Sequence, residues 1–139
     1  MSESEQNKTA VRDCFEAASR GNFGALDSIV SPDYVLHPEG VRGSEGLAEM
    51  VQGYREALAG LTVTIDQQFT EGDYVATRFT IRGRHTGELM GAAPTGRDVE
   101  FTGLTVSRCR DGRIEEEWEL VDTVSLLQQV GALPEVAQA

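Results

Sequence analysis

The first third of the chain carries apolar residues at the spacing of one helix face. The first stripe consists of Val11, Cys14, Phe15 and Ala18. It predicts a helix from about Glu5 to Arg20 that ends at Gly21, because glycine commonly follows the last turn of a helix. Asn22 is placed to cap a second, short helix, and Pro32 ends that helix because proline cannot continue it.

A third helix is predicted after a short extended segment. Tyr34–His37 is extended and stops at Pro38. Ser44 begins the helix and Gly60 ends it. The apolar stripe of this helix consists of Leu47, Met50, Val51, Tyr54 and Leu58.

Beyond Gly60 the apolar period changes from helical to two, which is typical of strands. The predicted strands are Leu61–Ile65 with an extension to Glu71, Tyr74–His85, Val99–Arg110 and Arg113–Val121, followed by a helix over Thr123–Val130. Asp111-Gly112 is a strong hairpin signal. Helices followed by antiparallel strands predict an α+β fold: a cone-shaped, curved antiparallel sheet with three N-terminal helices on its concave face and a short C-terminal helix. We expect one domain over residues 1–139 with flexible ends at 1–6 and 134–139.

The last strand ends in a carboxylate. Counted by alternation, Trp118, Leu120 and Asp122 share one face with Ile114, and the only tryptophan marks that face as the core side. Burial disfavours the charged form of a carboxylate, so Asp122 is a candidate proton shuttle. The alternative is that Asp122 caps the following helix. Glu116 has the same parity, which a bulge or a polar site would explain.

The strand Tyr74–His85 places a histidine on its apolar face. Phe79 and Ile81 lie on that face, and the same parity brings His85 into the interior unless Gly83 introduces a bulge. The alternative for His85 is an ordinary core histidine. The following loop, Thr86–Gly96, carries an apolar residue, Met90, which is consistent with a pocket rim or with plain packing.

Charge and composition narrow the possible partners. The 139 residues have a net charge of −11 and a pI near 4.5, which argues against nucleic acid and anionic membranes. A neutral or apolar small molecule fits better. The chain has no long apolar run or secretory signal, so we expect a cytoplasmic protein. Cys14 and Cys109 form neither a disulfide framework nor a zinc motif.

Several segments together resemble the SnoaL-like polyketide cyclases of the nuclear-transport-factor-2-like superfamily. The matching segments are Gly83–Gly91, Pro94–Arg97, Asp111–Ile114, Trp118–Asp122 and Leu126–Gly131. The resemblance implies a cone-shaped barrel that works without metal or cofactor. It also implies an intramolecular aldol condensation that closes a ring in a polyketide.

The same resemblance implies roles for individual residues. It makes Asp122 the general acid/base and places His85 beside it, in contact with substrate. Trp118 lies four residues before Asp122, whereas the founding cyclases have their tryptophan two before. The expected substrate-binding residues are His37, Trp118, Tyr34, Tyr54, Met50, Phe79 and Met90.

The resemblance further implies a homodimer, or possibly a tetramer, that takes a hydrophobic, polyketide-like substrate. It leaves other reactions open, because relatives include cycloaddition cyclases, cofactor-free hydroxylases, isomerases and epoxide-opening enzymes. A non-catalytic binding or dimerisation module is a further alternative.

Overall fold

The computed structural model describes residues 2–134, which form four α-helices and six strands. The helices are α1 (Glu3–Arg20), α2 (Leu26–Ile29, after a 3-10 turn at Phe23–Ala25), α3 (Gly43–Ala57) and α4 (Thr123–Gln129). The strands are β1 (Val30–His37), β2 (Val41–Arg42), β3 (Leu58–Glu71), β4 (Tyr74–His85), β5 (Asp98–Arg110) and β6 (Arg113–Val121).

The strands form one sheet in the order β2-β1-β6-β5-β4-β3. All neighbouring pairs are antiparallel except β1 and β6, which run parallel. The predicted α+β class and the C-terminal helix are confirmed, and the sheet is mixed rather than purely antiparallel. The segment predicted as a short extended piece, Tyr34–His37, belongs to β1 because its backbone pairs with β6 over residues 116–118.

Helices α1 and α3 cover one side of the sheet, which we call the inner face. One apolar cluster joins α1 and α2 to β1 through Val11, Leu26 and Tyr34. A second cluster joins the end of α3 to α4, with Leu58, Phe101 and Leu126 at its centre. Between the two clusters the inner face carries a cavity.

A bulge in β6 decides which of its side chains reach the inner face. Cys109 pairs with Ile114, but the preceding residue of β5, Arg108, pairs with Glu116, so Glu115 is an extra residue in β6. Ile114 is fully buried. Beyond the bulge, the residues of opposite parity turn inward. They are Glu117, Glu119 and Val121.

The predicted orientation of Trp118, Leu120 and Asp122 is therefore wrong. Trp118 is 39% exposed and Leu120 is 74% exposed on the opposite side, which we call the outer face. Alternation counted from Ile114 fails because the extra residue reverses it.

Most predicted boundaries lie within a few residues of the observed ones, and β4 and β6 have the predicted bounds. Residues 3–6 of the N-terminal end belong to α1, and the flexibility expected of both ends stays a prediction; residues 1 and 135–139 lie outside the described residues. Asn22 precedes the 3-10 turn but makes no side-chain cap there. No helix in the described range has the length and hydropathy to cross a membrane.

Candidate active site

A cavity of about 70 Å³ lies between α1, α3 and the inner face of the sheet. Its walls are mainly apolar and include Phe15, Met50, Tyr54, Leu61, Phe79 and Val121. A surface groove of about 450 Å³ between α1 and β3 shares Phe15 and Leu61 with the cavity and leads to solvent. Small-molecule sites are typically apolar concavities with few polar groups, and this cavity has that character.

Glu119 is the one carboxylate that lines this cavity in the described part of the chain. Its Oε1 accepts a 2.9 Å hydrogen bond from the Thr105 hydroxyl on the neighbouring strand. Burial, and then the nearby carboxylate of Glu117, raise the pKa of Glu119 to about 7, against the opposing effect of the Thr105 hydrogen bond. A carboxyl group with a pKa near the working pH is suited to give and take protons.

A second carboxylate, Glu117, is on the inner face two residues before Glu119; it does not line the cavity and is 6% exposed. Its Oε1 accepts a 2.6 Å hydrogen bond from the hydroxyl of the fully buried Tyr34, and its Oε2 accepts one from Ser107. Burial raises the pKa of Glu117, although both hydrogen bonds act to lower it. Burial and the adjacent Glu117 also raise the pKa of Tyr34, so its phenol stays protonated as a donor.

Tyr54 lines the cavity from α3 and packs against Phe101 with ring centroids 6.4 Å apart. Burial is the main cause of its raised pKa, with smaller contributions from Glu119 and Glu39. Its hydroxyl therefore stays protonated and can donate a hydrogen bond to a guest in the cavity.

Asp122 does not lie in this cavity. It is exposed, and its side chain accepts a 3.0 Å hydrogen bond from the backbone N–H of Ser125, which makes it the N-cap of α4. The cap alternative is the one that the structure supports. The expected burial of Asp122 is wrong, since the bulge in β6 reverses the alternation on which that expectation rested.

His85 is fully buried, as the parity of β4 predicts. It is nevertheless far along the sheet from the carboxylates of Glu119 and Asp122. Glu119 lies opposite Thr105, which pairs with Thr77, eight residues before His85 in β4. That separation is about 25 Å of strand. The backbone N–H of Asp122 donates to the carbonyl of Thr102, which pairs with Thr80, five residues before His85 in β4. Five residues correspond to about 16 Å of strand. The expected contact between His85 and Asp122 is therefore wrong.

The His85 ring is held by the loop that follows it. The backbone N–H of Thr95 donates to Nδ1 at 3.3 Å, and the Thr95 hydroxyl lies 3.0 Å from the same atom. Nε2 is buried without a partner among residues 2–134. This arrangement makes His85 an anchor of the loop over residues 86–96.

The other residues predicted to bind substrate divide into three groups. Met50, Tyr54 and Phe79 line the cavity, whereas Tyr34 is not part of its lining and donates a hydrogen bond to Glu117. His37 and Trp118 lie away from it on the outer face, where their rings stack at 5.6 Å and His37 Nε2 lies 2.7 Å from Glu116. Met90 is 50% exposed in the loop over residues 86–96. The expected pocket positions of His37 and Trp118 are wrong: the bulge in β6 turns Trp118 outward, and His37 on β1 points away from the buried Tyr34 and Leu36.

Sequence reasoning missed Glu119, Glu117 and Thr105. The signal that could have revealed the two glutamates is their odd parity, but only after the bulge is known. In the described range, no three His, Cys, Asp or Glu side chains are grouped so that they could hold a metal ion.

Comparison with known proteins gives the family. The SnoaL-like polyketide cyclase model matches residues 8–130, and the chain belongs to this family. The aklanonic acid methyl ester cyclase AcmA of Streptomyces galilaeus is 28% identical over 130 residues, which is 88% of both chains. The nogalonic acid methyl ester cyclase of Streptomyces nogalater is 27% identical over 121 residues, 83% of this chain and 90% of the relative.

Solved structures agree with this assignment. IdmH of Streptomyces antibioticus, described as a putative polyketide cyclase, is 36% identical with a TM-score of 0.79, covering 91% of this chain and 99% of IdmH. AclR of Streptomyces galilaeus, described as a putative hydroxylase, is 29% identical with a TM-score of 0.85, covering 99% of this chain and 87% of AclR.

Proposed function

We propose that this protein is a cofactor-independent polyketide cyclase that closes a ring by intramolecular aldol condensation, with Glu119 as general acid/base. The observation that carries the proposal is the position of Glu119: a carboxyl group with a pKa near 7 in the wall of an apolar cavity. The cyclases that resemble this chain act on polyketide methyl esters, and we propose a substrate of the same class.

The reaction needs one proton to leave carbon and one to reach oxygen. The Glu119 carboxylate removes a proton from a methylene that lies between two carbonyls. The resulting enolate attacks a ketone of the same molecule, so a carbon–carbon bond forms and the ketone oxygen becomes an alkoxide. Glu119 returns the proton to that oxygen. The product is an isomer of the substrate, and no oxidant or leaving group is involved.

The cavity supplies the rest of the rate enhancement. Holding the enolate against its ketone can correspond to an effective molarity of about 10⁵ M or more. Proton transfer by a positioned group adds a rate enhancement of about 10²–10⁴-fold. Tyr54 is placed on the opposite wall to donate a hydrogen bond to the enolate or alkoxide oxygen. The cavity is smaller than a polyketide, so binding requires additional space, and the groove that shares Phe15 and Leu61 with the cavity adjoins it.

The experiment compares Glu119→Gln with Asp122→Asn. Both changes remove a carboxylate from the same end of β6, so each controls for the other. Aklanonic and nogalonic acid methyl esters serve as probes, and the isomeric product is separated from substrate by chromatography. Glu119→Gln should lower kcat by about 10²–10⁴-fold, and Asp122→Asn should stay within a few-fold of the parent. The reverse result would return the acid/base role to Asp122. Absence of turnover by the unmodified protein would reject these esters as substrates.

A hydroxylase is the second candidate function, because the AclR structure is described as a putative hydroxylase. Oxygen consumption with the same probes distinguishes the two reactions, since aldol closure consumes none. A binding module would instead retain affinity for the probes in Glu119→Gln without turnover by any variant. A cytoplasmic location stays a prediction.

We also propose that two copies associate through the outer face. Strands β5 and β6 present an exposed apolar patch there, which consists of Leu104, Val106, Trp118 and Leu120. Leu104 pairs directly with Leu120, and Val106 with Trp118, so the four side chains are contiguous. Contiguous exposed apolar side chains commonly mark an interface. The patch is on the opposite side of the sheet from the cavity, so association leaves the groove open.

A further inference from the structure

Glu117 does not line the cavity, and yet it is among the most buried charged groups of the described chain. It is 6% exposed, and Tyr34 and Ser107 hold its two oxygens from β1 and β5. Burying a carboxylate is costly unless it is paired or hydrogen-bonded. The two hydroxyls satisfy its hydrogen bonds but supply no positive charge.

Glu117 and Glu119 lie two residues apart on the inner face of β6, about 7 Å apart along the strand. No arginine, lysine or histidine of residues 2–134 forms an ion pair with either one. The titratable groups that face the pair from the packed elements are neutral or acidic. They are Cys14 on α1, Tyr34 on β1, Glu39 after β1, Tyr54 on α3 and Cys109 on β5.

Two carboxylates in one low-dielectric region without a cation resist being charged together. The pair loses its two protons in two steps, and only after the second step are both carboxylates charged. The state of one carboxylate therefore determines how easily the other ionises. The cavity-facing member, Glu119, is the one that can reach a substrate.

We propose that Glu117 is a positioning residue that controls, through its own charge, how readily Glu119 takes up and releases a proton. Burial favours the neutral form of Glu117, and Tyr34 and Ser107 oppose it by donating to the carboxylate. When Glu117 is charged, it favours the protonated form of Glu119. The kinetic part of this proposal rests on the proposed function, while the coupling between the two carboxylates does not.

The test follows the side-chain carboxyl carbon of Glu119 by ¹³C NMR in glutamate-labelled protein as pH is raised. Glu119→Gln identifies the resonance. In Glu117→Gln the midpoint of Glu119 should fall by roughly one pH unit or more, as expected when a unit charge about 7 Å away is removed at moderate dielectric. Glu116→Gln is the matched control, because Glu116 adjoins Glu117 but lies on the outer face, bonded to His37 and Arg108. It should leave the midpoint in place.

Tyr34→Phe provides a second route that keeps the Glu117 side chain. Losing the donor should raise the midpoint of Glu117 itself and lower that of Glu119, because Glu117 then stays neutral to higher pH. An unchanged Glu119 midpoint in a folded Glu117→Gln protein overturns the proposal. If that variant does not fold, an unchanged midpoint in Tyr34→Phe overturns it equally.

Activity separates this proposal from the proposed function. If Glu119 is the base, the pH profile of kcat/KM in Glu117→Gln should shift to lower pH together with the NMR midpoint. A shifted NMR midpoint in an enzyme whose turnover survives Glu119→Gln would support the coupling and reject Glu119 as the base. If the Glu119 midpoint does not shift in Glu117→Gln but Glu119→Gln loses turnover, the coupling is rejected and Glu119 is supported as the base.

Discussion

Thr105 and Glu119 face each other directly across β5 and β6, and the Thr105 hydroxyl donates a 2.9 Å hydrogen bond to Glu119 Oε1. Among residues 2–134 this hydrogen bond engages Oε1 alone, which orients the carboxyl group and leaves Oε2 for a substrate. It also favours the charged form of Glu119, and so opposes the effects of burial and of Glu117. Thr105 thereby adjusts the acidity of the proposed base without touching the substrate.

Removing this donor should make Glu119 harder to ionise. In the unmodified enzyme we expect kcat/KM to rise with pH and level off above a midpoint near 7, because the base must be charged. Thr105→Val keeps the side-chain shape and loses the hydroxyl, so the midpoint should move to higher pH. The control is Thr102→Val, an exposed position on the outer side of the same strand. A midpoint that moves equally in both variants would contradict the assignment.

The raised pKa of Glu119 also affects stability. Its carboxyl group has a pKa of about 7 in the folded protein, against an ordinary value of 4.5, so between these values the folded state binds a proton that the unfolded state has released. The free energy of unfolding therefore falls as pH rises from 4.5 to 7. Below pH 4.5 the carboxyl group is protonated in both the folded and the unfolded state, so its burial causes no such loss of stability there. Relative to the parent, Glu119→Gln should become more stable by about 1–3 kcal/mol between pH 4 and pH 8. Urea unfolding at the two pH values measures this, and a pH-independent difference would count against it.

Asp122 has a structural role as the cap of α4. Asp122→Ala leaves the backbone N–H of Ser125 without its acceptor, and should cost about 1 kcal/mol of unfolding free energy. Asp122→Ser, which can also accept from that N–H, should recover most of the loss. Thermal and urea unfolding measure both variants. Turnover should stay near the parent level in each, and a loss of turnover that Ser does not restore would indicate a chemical role for Asp122.

Association through the outer face can be tested at its most exposed residue. Leu120 is 74% exposed, and Leu120→Glu should convert a dimer to a monomer because it places a charge within the apolar patch. Val124→Glu is the control, since Val124 is 56% exposed on α4 rather than on the sheet. Sedimentation velocity separates the two states. A monomeric parent protein, or a dimer that survives Leu120→Glu, would exclude this surface.

The sequence predicts the elements well where local patterns are strong. The alternation of β4 and the Asp111-Gly112 turn give strand bounds that match the structure, because both signals depend only on neighbouring residues. The parallel pairing of β1 with β6 depends on chain segments about 80 residues apart, for which the short extended pattern at Tyr34–His37 carries no signal.

The candidate site could be predicted only in part. Met50, Tyr54 and Phe79 were found because they lie on apolar stripes whose period is unbroken. Glu117 and Glu119 were missed because alternating glutamates in a strand are typical of a solvated face. In β6 beyond the bulge, Glu117 and Glu119 lie inward while Trp118 and Leu120 lie outward, which is the reverse of the usual pattern.

The extra residue at position 115 has a consequence for any comparison within the family. It reverses the alternation of side chains along β6, so this one residue determines which side of the sheet every later side chain of the strand occupies. Shortening the strand by one residue at this point would bring Trp118 and Leu120 into the interior and expel both glutamates to solvent. Residues of relatives should therefore be aligned from the bulge toward the end of the strand. Residues with the same parity before and after the bulge lie on opposite faces of the sheet.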